Sequence, residues 1–116
     1  MPMLVEATSW PEDFQVLLQE ISEAEHHKLR TTWAVRLGKI SDHWDELHQE
    51  VLSGWSASDW TIVHELLRAY TEQAADLPPL VAQCDGGLLR DGYHRAVMYR
   101  ICGIEEAEFI YLDEQE

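Results

Sequence analysis

Apolar residues in the first quarter of the chain fall at Phe14, Leu17, Leu18 and Ile21, the i, i+3, i+4, i+7 spacing of one buried helix face. Ser9-Trp10-Pro11-Glu12 stands ahead of them with capping-box spacing, and Pro11 in a first turn gives up no needed N–H. Glu12 and Asp13 open the segment while Lys28 and Arg30 close it, as a helix dipole prefers. The pattern predicts a helix from about Trp10 to Lys28. Trp33, Val35 and Leu37 then alternate with Thr32, Ala34 and Arg36, which predicts a half-buried strand ended by Gly38. Ser41 caps a second predicted helix with Trp44, Leu47, His48 and Val51 on its buried face, stopped by Gly54. Ser56-Ala57-Ser58-Asp59 caps a third, which Trp60, Val63, Leu66, Leu67 and Tyr70 carry to about Ala75 before Pro78 and Pro79 end it.

The last third changes character. Leu80-Val81-Ala82 reads as a short strand, Asp85-Gly86 as a hairpin turn and Gly87 to Arg90 as the return strand. Asp91-Gly92 turns the chain again into a helix from His94 to Cys102, with Val97, Met98, Ile101 and Cys102 buried and Gly103 at its end. Ala107 to Leu112 reads as a final strand, followed by the acidic tail Asp113 to Glu116. This order predicts an α+β fold, a small mixed sheet with packed helices. The whole chain, 1–116, reads as one domain, with an N-terminal helical part to about 76 and a β-β-α-β part from about 79 to 112.

Composition narrows the function. Hydrophobic residues at 46% and charged residues at 26% exclude wholesale disorder. Eight Lys plus Arg face 22 Asp plus Glu, a formal net of −14. That balance predicts no direct binding of double-stranded DNA and no attraction to anionic membranes, and it favours cationic partners. Met1 to Thr8 carries no basic residue or long apolar stretch, so it does not read as a secretory signal. Cys84 and Cys102 match no metal or redox spacing. A cytoplasmic protein with reduced thiols is the expectation.

Candidate chemistry concentrates at Asp91-Gly92-Tyr93-His94-Arg95, between a strand and a helix. Gly92 permits a tight turn, and the helix that follows offers unpaired N–H groups with partial positive charge. His94 and Arg95 share that end, Arg90 lies just before it, and arginine suits bidentate phosphate contact. From Cys84 to Gly103 three arginines stand against two aspartates, a local net of +1. Arg90, Gly92, Tyr93, His94 and Arg95 are therefore the candidate phosphate- or nucleotide-binding residues. Asp91 and His94 are the candidates for catalysis. The alternative is structural: Asp91 pairs with Arg95 to brace the loop while Tyr93 packs nearby.

The segment Leu80 to Ala96, continuing through Ile101-Cys102-Gly103-Ile104 to Phe109-Ile110-Tyr111, resembles the ParB/sulfiredoxin-like superfamily. The resemblance covers about residues 79–112 and implies a strand, turn and strand leading into a phosphate-binding turn, a helix and an outgoing strand. It carries Gly92, His94 and Arg95 over as phosphate contacts. Asp91 matches the acidic position of the free-serine-kinase type, which reads Asp-Gly-His-His-Arg. Tyr93 stands where a sulfiredoxin has its catalytic cysteine, so sulfiredoxin chemistry is not implied. The Glu-Arg-Arg form of the partition proteins is also missing from the turn.

Other residues invite less. His43 and His48 are five apart, about 140° around a helix, so they do not share a face, and no metal site is expected. Trp33, Trp44 and Trp60 fall on predicted buried faces, whereas Trp10 and Trp55 lie at segment ends as candidate exposed anchors for a partner. Glu105, Glu106, Glu108, Asp113, Glu114 and Glu116 make an acidic C-terminal stretch. Three function classes follow. The favoured one is a reduced ParB-like domain that binds a basic peptide or protein segment, in part by strand addition along Ala107 to Leu112. The second is a small phosphotransferase or NTPase that uses the turn with a nucleotide and Mg2+. The third is an acidic DNA-mimicking inhibitor.

Overall fold

The computed structural model describes residues 2–115. Its regular elements are β1 (Met3–Glu6), α1 (Glu12–Ala24), β2 (Thr32–Lys39), α2 (Trp44–Leu52), α3 (Ala57–Glu72), β3 (Leu80–Ala82), β4 (Leu89–Asp91), α4 (Tyr93–Ile101) and β5 (Glu106–Tyr111). The five strands form one mixed sheet in the order β1-β2-β5-β3-β4, with β3 and β5 parallel and the other neighbours antiparallel. The fold is α+β. β2 from the first part of the chain pairs with β5 from the second, so both parts build the same sheet.

Helices cover both faces, which explains the unbroken apolar runs of β3 and β5. Phe14, Leu18 and Ile21 of α1 pack on Trp33, Val35, Val81, Ile110 and Leu112. On the opposite face Leu80, Ala82, Leu89, Phe109 and Tyr111 meet Leu47, Val63 and the α4 residues Ala96, Val97, Met98 and Tyr99. His43 belongs to this second core. It is buried and stacks on Phe109 with ring centroids 5.4 Å apart.

Several expectations need correction. α1 is shorter at both ends than predicted. Pro11 is its N-cap and makes no side-chain cap, while the Ser9 hydroxyl donates to Glu6 O at 2.6 Å. At the other end His26 takes a left-handed φ of 58°, and His27 N donates to Ser22 O at 2.8 Å. That closing bond ends the helix before Lys28 and Arg30 can reach its last turn. Ser41 does not cap α2; a 3-10 turn, Ile40–His43, leads into it. β2 runs through Gly38, which pairs with Ala107. A side chain there would run into the Tyr111 hydroxyl and Phe109, so this glycine marks close packing and not a strand end. Leu37 pairs with Glu108 beyond the cluster packed under α1 and is 63% exposed. Ile101 is 56% exposed at the last position of α4, and His48 also faces solvent. Trp60 is 43% exposed.

In the hairpin, Gly87 N donates to Cys84 O at 2.9 Å, so Gly87 belongs to the turn and β4 begins at Leu89. β5 lies between β2 and β3, so strand addition along it has no free edge to use. The sheet edges are β1, which no predicted element matched, and β4.

The predicted acidic tail is anchored as far as it is described. After a 3-10 turn at Leu112–Glu114, the Gln115 side chain accepts from Ala34 N at 2.7 Å and donates to Ala34 O at 3.0 Å. Its amide prolongs β5 alongside β2 in place of a further residue of strand. Arg36 fixes the same region, with Nε 2.7 Å from Glu114 and Nη2 3.0 Å from Asp85. Hydrogen bonds from Arg36 hold the Glu114 carboxyl below the usual carboxylate range. Met1 and Glu116 lie outside the described residues. Among the described residues no helix is long and apolar enough to cross a membrane.

Gln115→Leu is expected to lower stability by about 1–2 kcal/mol, because it removes side-chain bonds to three main-chain groups, Ala34 N, Ala34 O and Tyr111 O. Urea unfolding checks this, and Gln115→Glu should recover only the bond from Ala34 N.

Candidate functional site

The Asp91–Arg95 turn forms because Gly92 can hold φ 100°, the left-handed region, at the N-cap of α4. A Cβ at this position would lie 2.5 Å from Leu80 Cδ2 and 3.0 Å from Arg95 Nη2. The glycine thus lets the turn close over Leu80 and the Arg95 guanidinium. Arg95 points inward: its Nη2 donates to Pro79 O at 2.9 Å and to Asp91 Oδ2 at 3.2 Å. Its Nε is buried without a partner among the described residues, and Cζ stands 5.6 Å from the Phe14 ring centroid. Asp91 and Arg95 therefore brace the loop, as the structural alternative held.

The other turn residues are also engaged within the protein. Arg90 pairs with Glu25 of the α1 C-cap and donates to Gln83 Oε1 at 3.3 Å. The Tyr93 hydroxyl donates to Leu89 O at 2.7 Å. Burial raises its pKa, and the nearby carboxylates Glu46 and Glu50 push the same way. His94 Nε2 lies 3.0 Å from Asp59 Oδ1, and its ring stacks on Trp55 at 4.9 Å between centroids. The Ser56 N–H and then His94 hold the Asp59 carboxyl below its ordinary value. Both arginines expected to grip phosphate are thus tied into internal ion pairs.

Two cavities flank the turn and share Glu50, Ser53 and Tyr93. The first, about 630 Å³, lies between α2 and the β3–β4 hairpin, with Glu46, Gln49 and Glu50 on one wall and Leu88, Leu89 and Arg90 on the other. The second, about 510 Å³, opens over the N-terminus of α4 and is lined by Trp55, Asp59, Asp91 and His94. Glu46, Glu50, Asp59 and Asp91 give this paired groove an acidic lining. Among the described residues no three or more His, Cys, Asp or Glu side chains come together as a metal-holding group. The carboxylates are spread along the groove.

The structure also places the tryptophans differently from expectation. Trp10 is half-buried, edge-on to Phe14 at 5.4 Å, and borders a separate cavity near Pro79. Trp55 is half-buried between Trp60 and His94, so it forms a wall of the groove and does not stand out as an exposed anchor. Sequence reasoning missed Glu46 and Glu50 and saw Asp59 only as a cap. Glu46 and Glu50 stand one turn apart on α2, but an i, i+4 acidic pair on an amphipathic helix reads as its solvated face, so the sequence alone carried no signal for them.

No protein-family model, curated protein or solved structure matches this chain.

Proposed function

We propose that this protein is a binding module, a reduced ParB-like domain in a cytoplasmic setting, whose ligand is a basic peptide or protein segment. The observation that carries the reading is the acidic groove itself. Four carboxylates line two adjoining cavities beside Tyr93 and Trp55, against two lining arginines whose charges are already met, Arg90 by Glu25 and Arg95 by Asp91. Long-range attraction from a net charge of −14 speeds encounter with basic chains. Aromatic walls add cation–π and apolar contact at short range.

Calorimetry with a lysine-rich peptide at low and high salt tests this. Affinity should fall as salt rises, and Glu50→Gln should weaken binding about two- to five-fold, the range of a partly exposed ion pair. Equal binding of a peptide with glutamates in place of its lysines would end the reading. A phosphotransferase or NTPase is the second reading, and one observation favours it: the first-turn N–H groups of α4 open on the second cavity next to His94. A rise in Tm with ATP or CTP plus Mg2+, lost in His94→Ala, is its test.

A further inference from the structure

We infer that the ligand of the first cavity binds as an added β-strand on the β4 edge, and that Glu46 is a built-in stand-in for that strand. This rests on the acidic groove being a peptide site and adds how the peptide is held. Leu89 N donates to both oxygens of the Glu46 carboxylate, at 2.7 and 3.0 Å. Leu89 O accepts from the Tyr93 hydroxyl at 2.7 Å. Within a strand, one residue's N–H and C=O point to the same side. Leu89 thus presents both main-chain groups toward the groove, where they are met by side chains. A carboxylate on a strand N–H occupies the place that the carbonyl of a neighbouring strand would take.

The cavity lies along this edge, with α2 as its opposite wall. An extended peptide entering here offers a carbonyl to Leu89 N and an N–H to Leu89 O. It displaces Glu46 and the Tyr93 hydroxyl. Glu46, which also lies 3.3 Å from His43 Nδ1, then turns with Glu50 toward basic side chains on the α2 side of the new strand, while exposed Leu88 meets apolar ones on the other. Side chains of an added strand alternate between its faces, so the fitting partner alternates basic with apolar, β-favouring residues. Charge complementarity fixes the occupant as basic, because the only cation lining this cavity among the described residues, Arg90, is already neutralised by Glu25. The displaced carboxylate also limits spurious pairing: until a ligand supplies both main-chain bonds and compensating charge, Glu46 keeps the edge closed.

The test uses the full chain and a blocked peptide of alternating lysine and valine, with a set of copies N-methylated at one residue each. Strand addition predicts that the Leu89 amide resonance moves on binding. It also predicts that N-methylation weakens binding about five-fold at alternate residues near the centre of the peptide and leaves the intervening ones unchanged. Because the changes are in the ligand, folding of the protein is not affected. Binding that ignores N-methylation, or that leaves the Leu89 amide in place, overturns strand addition and leaves the acidic groove standing. No binding of this peptide or of a shuffled lysine-rich one at low salt overturns the groove reading itself.

Discussion

Gly92→Val is expected to lower the unfolding free energy by roughly 3–5 kcal/mol. Two costs combine. A branched L-residue at φ 100° must hold a left-handed backbone, at about 1–2 kcal/mol, more for a β-branched side chain. The added carbon also meets Leu80 Cδ2 at 2.5 Å, and Leu80 is a fully buried member of the core that has nowhere to move. Overpacking of that kind costs typically about 1–3 kcal/mol. Since the contact arises at Cβ, Gly92→Ala should suffer most of the same loss, within about 1 kcal/mol of valine. Domains of this size hold about 5–15 kcal/mol in total, so the effect is visible as a large drop in the urea midpoint. An alanine variant that unfolds like the wild type would mean the turn does not hold this conformation in solution.

The elements that repeat a period were legible from the chain alone. α3 and α4 and the strands β3 and β5 stand within a few residues of where hydrophobic spacing put them, because helix faces and doubly buried strands impose that spacing. What escaped was set by partners distant in sequence. β1 is a strand because Met3–Glu6 finds Thr32–Val35, and its own four residues carry no pattern long enough to read. Gln115 acts as a piece of strand only because Ala34, 81 residues away, has main-chain groups to fill. The candidate site divides the same way. The Asp91–Arg95 turn was readable, since a glycine between an acid and a helix start is local chemistry. The direction of its arginines was not, because Glu25 lies 65 residues from Arg90. Likewise Glu46 meets Leu89 across 43 residues and Asp59 meets His94 across 35. Motif reading supplied the residue types, and tertiary pairing decided whether they face a ligand or each other.

Arg95→Met is expected to destabilise the protein by about 2–3 kcal/mol and, by leaving the Asp91 carboxylate of the groove without its cation, to keep or slightly strengthen capture of basic peptides by the molecules that stay folded. The side chain is 14% exposed and Asp91 25%, so the pair is partly shielded and sits below the 3–5 kcal/mol range of fully buried pairs. Methionine keeps the packing against Phe14 and relieves the burial of the unpartnered Nε, which offsets part of the cost. What remains is a carboxylate without its cation and Pro79 O without its donor. Adding Asp91→Asn removes the stranded charge, so the double variant should lose less than the sum of the single ones, with a coupling of about 1 kcal/mol. A phosphate-gripping Arg95 makes the opposite forecast: stability changed by less than about 0.5 kcal/mol, as at ordinary surface sites, with nucleotide binding abolished. Urea unfolding of the two singles and the double, read beside a nucleotide thermal-shift series on the wild type, separates the brace from the grip. The inward geometry of the guanidinium favours the brace, because its two acceptors, Asp91 Oδ2 in the turn and Pro79 O just ahead of β3, tie the start of the helix to the sheet.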